Sequence, residues 1–151
     1  MGNDFKPSDF DSAQSSDQWW ASQGAASSAA SFTPSIKLEH ADSRGEIYSI
    51  ELPDGQELML IHSTPGSFRG GHSHSCDEVV MMLSGRMRYY KEHDCFSMVE
   101  GAVSHNEADL NHMGEFLEDS WLVEYKFAKK GQWTQTNFEP MREKVHASNR
   151  I

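Results

Sequence analysis

The chain has 151 residues, a formal net charge of −10 and a hydrophobic content of 37%. This length predicts one domain, and the acidic charge argues against nucleic acid and anionic membrane surfaces as partners. No apolar run approaches the roughly 20 residues of a membrane span, no basic and apolar leader opens the chain, and Cys76 and Cys95 make no disulfide framework, so we expect a reduced, cytoplasmic protein.

Residues 1–35 form a low-complexity arm rich in Ser, Ala and Gln. Such a segment alone buries too little apolar surface to offset the entropy of ordering it. It nevertheless contains five aromatic residues, which are Phe5, Phe10, Trp19, Trp20 and Phe32. Because tryptophan is costly to leave in water, we predict that the arm lies outside the globular domain and packs on a neighbouring chain. The alternatives are an arm folded back on its own barrel and a disordered tail.

From Ile36 onward the sequence predicts short strands separated by turns. The predicted strands are GEIYSIEL (45–52), ELMLIHS (57–63), DEVVMMLSG (77–85), RMRYYK (86–91), CFSMVE (95–100) and SWLVEYKF (120–127). Such closely spaced strands, with no amphipathic helix between them, indicate an all-β antiparallel sandwich or barrel over residues 36–127. Residues 128–151 form a polar C-terminal tail, with one short helix expected near Pro140.

The strand over residues 77–85 predicts which side chains line the barrel. Successive side chains of a strand point to opposite faces, so Val80 and Met82 share the face of Glu78 and would form an apolar interior. The opposite face carries three apolar side chains, those of Val79, Met81 and Leu83. Since an apolar outer face is more often covered than wet, we expect a dimer mate or the arm to pack there.

The segment GSFRGGHSHSCDEVV (66–80) concentrates metal-ligand side chains. His72 and His74 are two residues apart, so they point to the same face of a strand but away from each other on a helix. Glu78 lies at even offsets from both and returns to that face if the strand continues or bends once. Two imidazoles and a carboxylate suit Fe, Mn, Ni or Zn rather than Ca or Mg.

This spacing resembles the first motif of the cupin superfamily. The residues that fill the motif, in order, are Gly66, His72, His74, Glu78 and Gly85. The segment is similar to those of RmlC-like cupins, and the resemblance covers roughly residues 36–127. It implies a double-stranded β-helix, also called a jelly-roll barrel, in a single metal-binding cupin domain.

The family implies a second motif further along the chain, and the segment GAVSHNEADLNHMGEF (101–116) fits its spacing. Gly101 and His112 keep the expected residues. The departures are Glu107, Asp109 and Phe116, which stand where the family usually has Pro, Gly and Asn. The resemblance implies one divalent transition metal with the ligands His72, His74, Glu78 and His112. His105 is a rival to His112, and a cupin scaffold that holds no metal is the alternative.

Three further side chains are candidate catalytic groups, since each lies in a strand expected to line the barrel. They are His62, Tyr89 and Glu124. Beside a metal, Tyr89 would act as a general acid or base, or else it is a packed core residue. Glu124 is either inward and functional or outward and solvated. Arg69 would pair with a substrate carboxylate or phosphate, or else it is a surface charge on a loop.

Two functional hypotheses follow from these features. The first is a metal-dependent cupin that acts on a small polar metabolite, with isomerase, epimerase or dioxygenase chemistry. The second is a non-enzymatic cupin that serves as a structural or binding subunit in a homo-oligomer or larger assembly, such as a particle or virion component, through its N-terminal arm. Fold alone does not choose between them.

Overall fold

The structure is a computed structural model that describes residues 35–148, which contain eleven β-strands and one α-helix. These elements are β1 (Ile36–Asp42), β2 (Gly45–Glu51), β3 (Glu57–Ser63), β4 (Phe68–His74), β5 (Glu78–Ser84), β6 (Arg86–Lys91), β7 (Asp94–Val99), β8 (Val103–Asn106), β9 (His112–Phe116), β10 (Ser120–Lys126), β11 (Gln135–Asn137) and α1 (Glu139–Ser148). Apart from its last residue, the predicted arm over 1–35 lies outside the described residues, and so do its five aromatic side chains.

The strands form two antiparallel sheets, which confirms the predicted all-β jelly roll. The order is β1-β2-β3-β10-β5-β8 in the six-stranded sheet and β11-β4-β9-β6-β7 in the five-stranded sheet. β2 and β3 pair as the hairpin that Pro53, Asp54 and Gly55 predicted. Long crossings between the sheets bring β4 and β9 together although they are far apart in the sequence.

The core lies between the two sheets and takes side chains from both. Val80 and Met82 of β5 are 1% exposed, whereas Met81 on the other face is 39% exposed, so the predicted alternation along this strand is confirmed. Opposite them pack Met87 of β6 and Phe116 of β9. Burial of side chains of this size contributes about 1.5–3 kcal/mol each.

Gly70 and Gly71 bend β4 just before its two histidines. Both have positive φ, +91° and +74°, and the pairing of β4 with β9 shifts register between Gly70 and His72. A Cβ on Gly70 would lie 2.9 Å from the backbone oxygen of His112, and one on Gly71 would lie 3.0 Å from the backbone nitrogen of Arg142. Only glycine fits this bulge, because other residues would be strained and would also clash.

The C-terminal segment extends the barrel. β11 pairs with β4, with Gln135 opposite His74 and Asn137 opposite His72. The expected helix is present as α1, and its Val145 is 2% exposed. No helix within residues 35–148 combines the length and apolar character needed to cross a membrane.

Candidate metal centre

Three histidines from two neighbouring strands converge inside the barrel. His72 and His74 lie on β4, and His112 lies opposite His72 on β9. Their candidate ligand atoms all lie within 4.8 Å of one another. Two nitrogens bound to one ion at about 2.1 Å each are about 3 to 4 Å apart, so small side-chain rotations would bring the three imidazoles onto one ion.

The hydrogen bonds of the three rings leave nitrogen lone pairs open. The Nδ1 of His112 lies 3.0 Å from the carbonyl oxygen of Leu110. A carbonyl only accepts, so Nδ1 carries the proton and Nε2 keeps its lone pair. The Nδ1 atoms of His72 and His74 are buried and have no hydrogen-bond partner among the described residues. A bound cation would satisfy such orphaned buried atoms, so the donor set fits a transition metal.

The surroundings keep all three imidazoles neutral near pH 7. Burial is the main cause, lowering the pKa of His72 to about 2, with repulsion from His112 and His74 adding to it. Burial also lowers the pKa of His74 to about 4 and brings that of His112 below its ordinary value. Neutral imidazole is the form that binds a metal.

Glu78, the fourth ligand implied by the resemblance, lies beside the histidines but is already paired. Its carboxylate oxygens are 3.4 Å from His74 Nδ1 and from His112 Nε2, and Oε2 is 2.9 Å from the Nζ of Lys126. Burial would raise the pKa of Glu78, but Lys126 and the two histidines bring it below its ordinary value. The carboxylate is therefore charged and balanced by a buried ammonium group.

Asn106 connects Glu78 to Tyr89. Its Nδ2 donates to Glu78 Oε1 at 3.0 Å and to the hydroxyl oxygen of Tyr89 at 2.7 Å. Burial, reinforced by the charge of Glu78, raises the pKa of Tyr89 well above its ordinary value. The tyrosine is therefore a neutral hydroxyl that can donate a hydrogen bond but gives up its proton less readily than an exposed tyrosine.

Two chambers of about 330 and 190 Å³ lie inside the barrel around these groups. His74 and Lys126 line the larger chamber, and His112 and Tyr89 line the smaller one. His72 and Glu124 line both, so the two chambers meet at these side chains.

Glu124 is the acid whose side chain faces both chambers. Burial and the nearby charge of Glu78 raise its pKa to about 7. Its Oε2 lies 3.8 Å from the Nζ of Lys126, so the lysine stands between two carboxyl groups. The sequence left open whether the side chain of Glu124 points inward or outward, and in the structure it points inward.

His62 does not join the cavity. It follows the buried Ile61 on β3 and so faces outward, where its ring stacks on Trp121. Its Nδ1 lies 2.7 Å from Glu46 and its Nε2 lies 2.8 Å from Asp119. The expectation that its strand would direct His62 into the barrel is therefore corrected by the alternation of the strand itself.

His105, the rival to His112, also lies away from the cluster. Its register partner is Val79, which belongs to the outer face of β5, and its Nε2 contacts Asp77 at 2.9 Å. Its side chain is 54% exposed. Of the two histidines, only His112 meets His72 and His74.

Several residues of the site escaped the sequence analysis. Lys126 lies on the same face of β10 as Glu124 and the buried Leu122, because the three residues are two apart. The two-residue period of the strand could therefore have predicted that Lys126 points inward. Trp133, in the segment before β11, covers the site from the tail, with its ring 5.1 Å from that of His74 and 4.8 Å from Lys126 Nζ. For Trp133 the sequence carries no local signal, because its position depends on long-range strand pairing.

No family model and no curated protein matches the chain. Solved structures match its fold. Vicilin from hazelnut (Corylus avellana) is 13% identical with a TM-score of 0.56, and the match covers 68% of this chain and 34% of that one. A deletion mutant of oxalate decarboxylase from Bacillus subtilis is 18% identical with a TM-score of 0.54, covering 69% of this chain and 30% of that one.

The shorter protein KdgF from a Halomonas species is 12% identical with a TM-score of 0.55, and the match covers 62% of this chain and 88% of that one. The chain thus spans about a third of the length of the vicilin and the decarboxylase, but most of the length of KdgF. Likeness at this identity concerns the fold alone, and it agrees with the two antiparallel sheets described above. The chain has the fold of the cupin superfamily.

Proposed function

We propose that the chain is a metal-dependent cupin enzyme that acts on a small polar metabolite. The observation that carries the proposal is the orientation of the three imidazoles. His72, His74 and His112 are neutral, keep lone pairs free, and line chambers that can admit a small molecule. Concave sites with a few convergent polar groups are the usual setting for small-molecule chemistry.

His72, His74 and His112 would hold the ion, and Glu78 would join them once released from Lys126. The donor set suits Fe, Mn, Ni or Zn. Such an ion would supply Lewis acidity toward an oxygen of the substrate. Metal binding also explains why the fold keeps the buried Nδ1 of His72 without a hydrogen-bond partner among the described residues, which otherwise costs stability.

The chain itself supplies groups for proton transfer in the same cavity. Glu124 faces both chambers and has a pKa of about 7, so it can take up or release a proton near neutrality. Tyr89 faces the smaller chamber as a neutral hydroxyl, which suits a hydrogen-bond donor to the substrate. A carboxylate and a hydroxyl on one cavity favour isomerase-type chemistry over dioxygenase chemistry.

The test is the metal content of the full chain, purified without a histidine tag and measured by inductively coupled plasma mass spectrometry. Wild type should carry about one ion per chain. His74→Ala and His112→Ala should lose it while keeping the circular dichroism of the barrel. His105→Ala is the matched control and should keep it. Wild type that stays metal-free after incubation with each of Fe²⁺, Mn²⁺, Ni²⁺ and Zn²⁺ would refute the proposal.

A second candidate function is a binding or structural subunit, and the outer face of the six-stranded sheet favours it. Strand register aligns an apolar row across all six strands. The row consists of Leu38, Tyr48, Leu60, Val123, Met81 and Val103. Leu38 is 52% and Val103 is 59% exposed. An apolar row of this length is typical of a surface covered by another chain.

A further inference from the structure

Among residues 35–148, two of the five arginines carry a charge that no acid neutralises directly. Arg44, Arg86 and Arg88 each form an ion pair with an acidic side chain. Arg69 on β4 and Arg142 on α1 have no acidic partner within 4.0 Å in this part of the chain. Both of these unpaired arginines line the smaller chamber.

Arg69 is held in place entirely by neutral acceptors. Its Nε donates to Ser63 Oγ at 2.7 Å, and its Nη2 donates to the carbonyl oxygens of Arg44 and His62, both at 3.1 Å. Burial, with repulsion from Arg44, lowers the pKa of Arg69 to about 10. The more distant charges of Asp42, Glu124 and Glu46 offset this lowering only in part, and the guanidinium is still charged near pH 7. A buried charge without a direct ion pair is unfavourable.

Arg142 reaches the same chamber from the C-terminal helix. Its Nη1 donates to the carbonyl oxygen of Gly70 at 3.0 Å. Its Nε is buried and has no hydrogen-bond partner among the described residues. The glycine bulge of β4 makes room for this approach, since a Cβ on Gly71 would lie only 3.0 Å from the backbone nitrogen of Arg142.

We propose that the smaller chamber binds the carboxylate group of a small organic acid through Arg69 and Arg142, beside His72 and His112. This rests on the proposed function, because it names the substrate class for the same cavity. Planar guanidinium groups match the geometry of a carboxylate and form charge-assisted hydrogen bonds with it. A bound carboxylate would give both arginines the direct ion pair that no described acidic side chain forms with them within 4.0 Å.

The rest of the lining favours a carboxylate over a phosphate. Glu124 also faces the smaller chamber, so a doubly charged group would be repelled more strongly than a singly charged one. Val80, Met87 and Leu122 make much of the remaining wall apolar, which suits a short carbon chain. The three hydrogen bonds of Arg69 fix its position but go to neutral acceptors, so they form no ion pair. A neutral side chain could serve the same structural purpose, which favours a role for the charge in binding.

The experiment is calorimetric titration of the full chain with succinate, and with its neutral diamide succinamide as the matched ligand. Metal is first removed with a chelator, which is itself removed before titration, so that binding reports on the arginines. Arg69→Gln and Arg142→Gln should each weaken succinate binding at least about tenfold. Arg86→Gln, an arginine on the barrel surface, is the control and should bind as wild type does.

Saturable binding of succinate, absence of binding by succinamide and loss in both chamber variants would support the inference. It would be overturned by equal binding of succinate and succinamide, by wild-type binding in Arg142→Gln, or by tighter binding of inorganic phosphate than of succinate. Arg142→Gln keeps the test decisive if Arg69→Gln does not fold. Metal content measured on each protein before the chelator treatment distinguishes failure of the carboxylate site from failure of the proposed metal site, because it depends on the histidines and not on succinate binding.

Discussion

The Nζ of Lys126 lies 2.9 Å from the Oε2 of Glu78, inside the barrel and beside His74 and His112. Burial alone would lower the pKa of Lys126, but Glu124 and Glu78 raise it above its ordinary value, so the lysine is charged. Glu78 therefore has a resident cationic partner in the place where the cupin resemblance implies a metal ion. On the proposed function, an ion held by the three histidines would compete with Lys126 for the Glu78 carboxylate.

Replacement of Lys126 by Met should increase the rise in melting temperature that added metal produces. Without the ammonium group Glu78 is a buried carboxylate with no cationic partner, which costs about 3–5 kcal/mol in the metal-free protein. Bound Zn²⁺ or Mn²⁺ would restore the counter-charge. We expect a lower melting temperature than wild type without metal and a larger metal-induced rise, measured by differential scanning calorimetry. Lys130→Met, at an exposed lysine, is the control, and an equal rise in Lys126→Met and wild type would contradict the competition.

Replacement of Glu124 by Gln should stabilise the metal-free protein at alkaline pH. The folded-state pKa of Glu124, about 7, lies above its ordinary value of 4.5. Folding therefore holds a proton that the unfolded chain releases, so wild type loses stability as the pH rises from 4.5 through 7. The free energy of unfolding of Glu124→Gln should exceed that of wild type at pH 8 and approach it at pH 4.5, in urea titrations. Glu100→Gln, at an exposed position, should lack this pH-dependent difference, and a constant gap for Glu124→Gln would count against the assigned shift.

The contribution of His62, on the outside of the barrel, to the free energy of unfolding should depend on pH. Burial tends to lower its pKa, but hydrogen bonds with Glu46 and Asp119 raise it above 6.5 overall. The charged form therefore stabilises the fold fully below pH 6.5, and the effect disappears as the pH rises through the folded-state pKa. His62→Gln should lose about 1 kcal/mol at pH 5.5 and much less at pH 9. Chemical denaturation checks this, with the fully exposed His93→Gln as control, and a pH-independent loss would argue for packing on Trp121 alone.

The apolar row on the six-stranded sheet should form a contact between chains. Met81→Glu together with Val103→Glu places two charges on that row, so the mass measured by light scattering should fall toward that of one chain. Ser97→Glu, an exposed position on the other sheet, should leave the mass unchanged. Deletion of residues 1–35 tests whether the arm takes part. A wild-type mass equal to that of one chain would refute a self-contact. An unchanged number of chains per particle after the deletion would refute a role of the arm in assembly.

Strand period explains most of what the sequence could predict. The two-residue spacing of His72 and His74 predicted a common face, and their rings lie 4.6 Å apart. Glu78, Val80 and Met82 are inward as expected. The same rule, applied to Ile61, would have directed the neighbouring His62 outward. Periodicity assigns faces only relative to one another, so an apolar neighbour must decide which face is the interior.

Contacts between distant segments set the limit of the sequence analysis. Arg142 reaches the cavity because α1 packs on the glycine bulge of β4, and Gln135 faces His74 because β11 pairs with the same strand. Nothing local in the polar tail indicates these positions. The predicted helix near Pro140 was correct, but its role in the site depends on tertiary pairing.

The pairing of β4 with β9 also determines when an ion can be captured during biogenesis. As the chain leaves the ribosome, His72 and His74 emerge well before His112, which joins them only through the pairing of β4 with β9. The His-Ser-His segment by itself offers two imidazoles on a flexible chain, which discriminates poorly between metals. On the proposed function, the full ligand set would exist only once β4 and β9 are paired, so the finished cavity would select the ion.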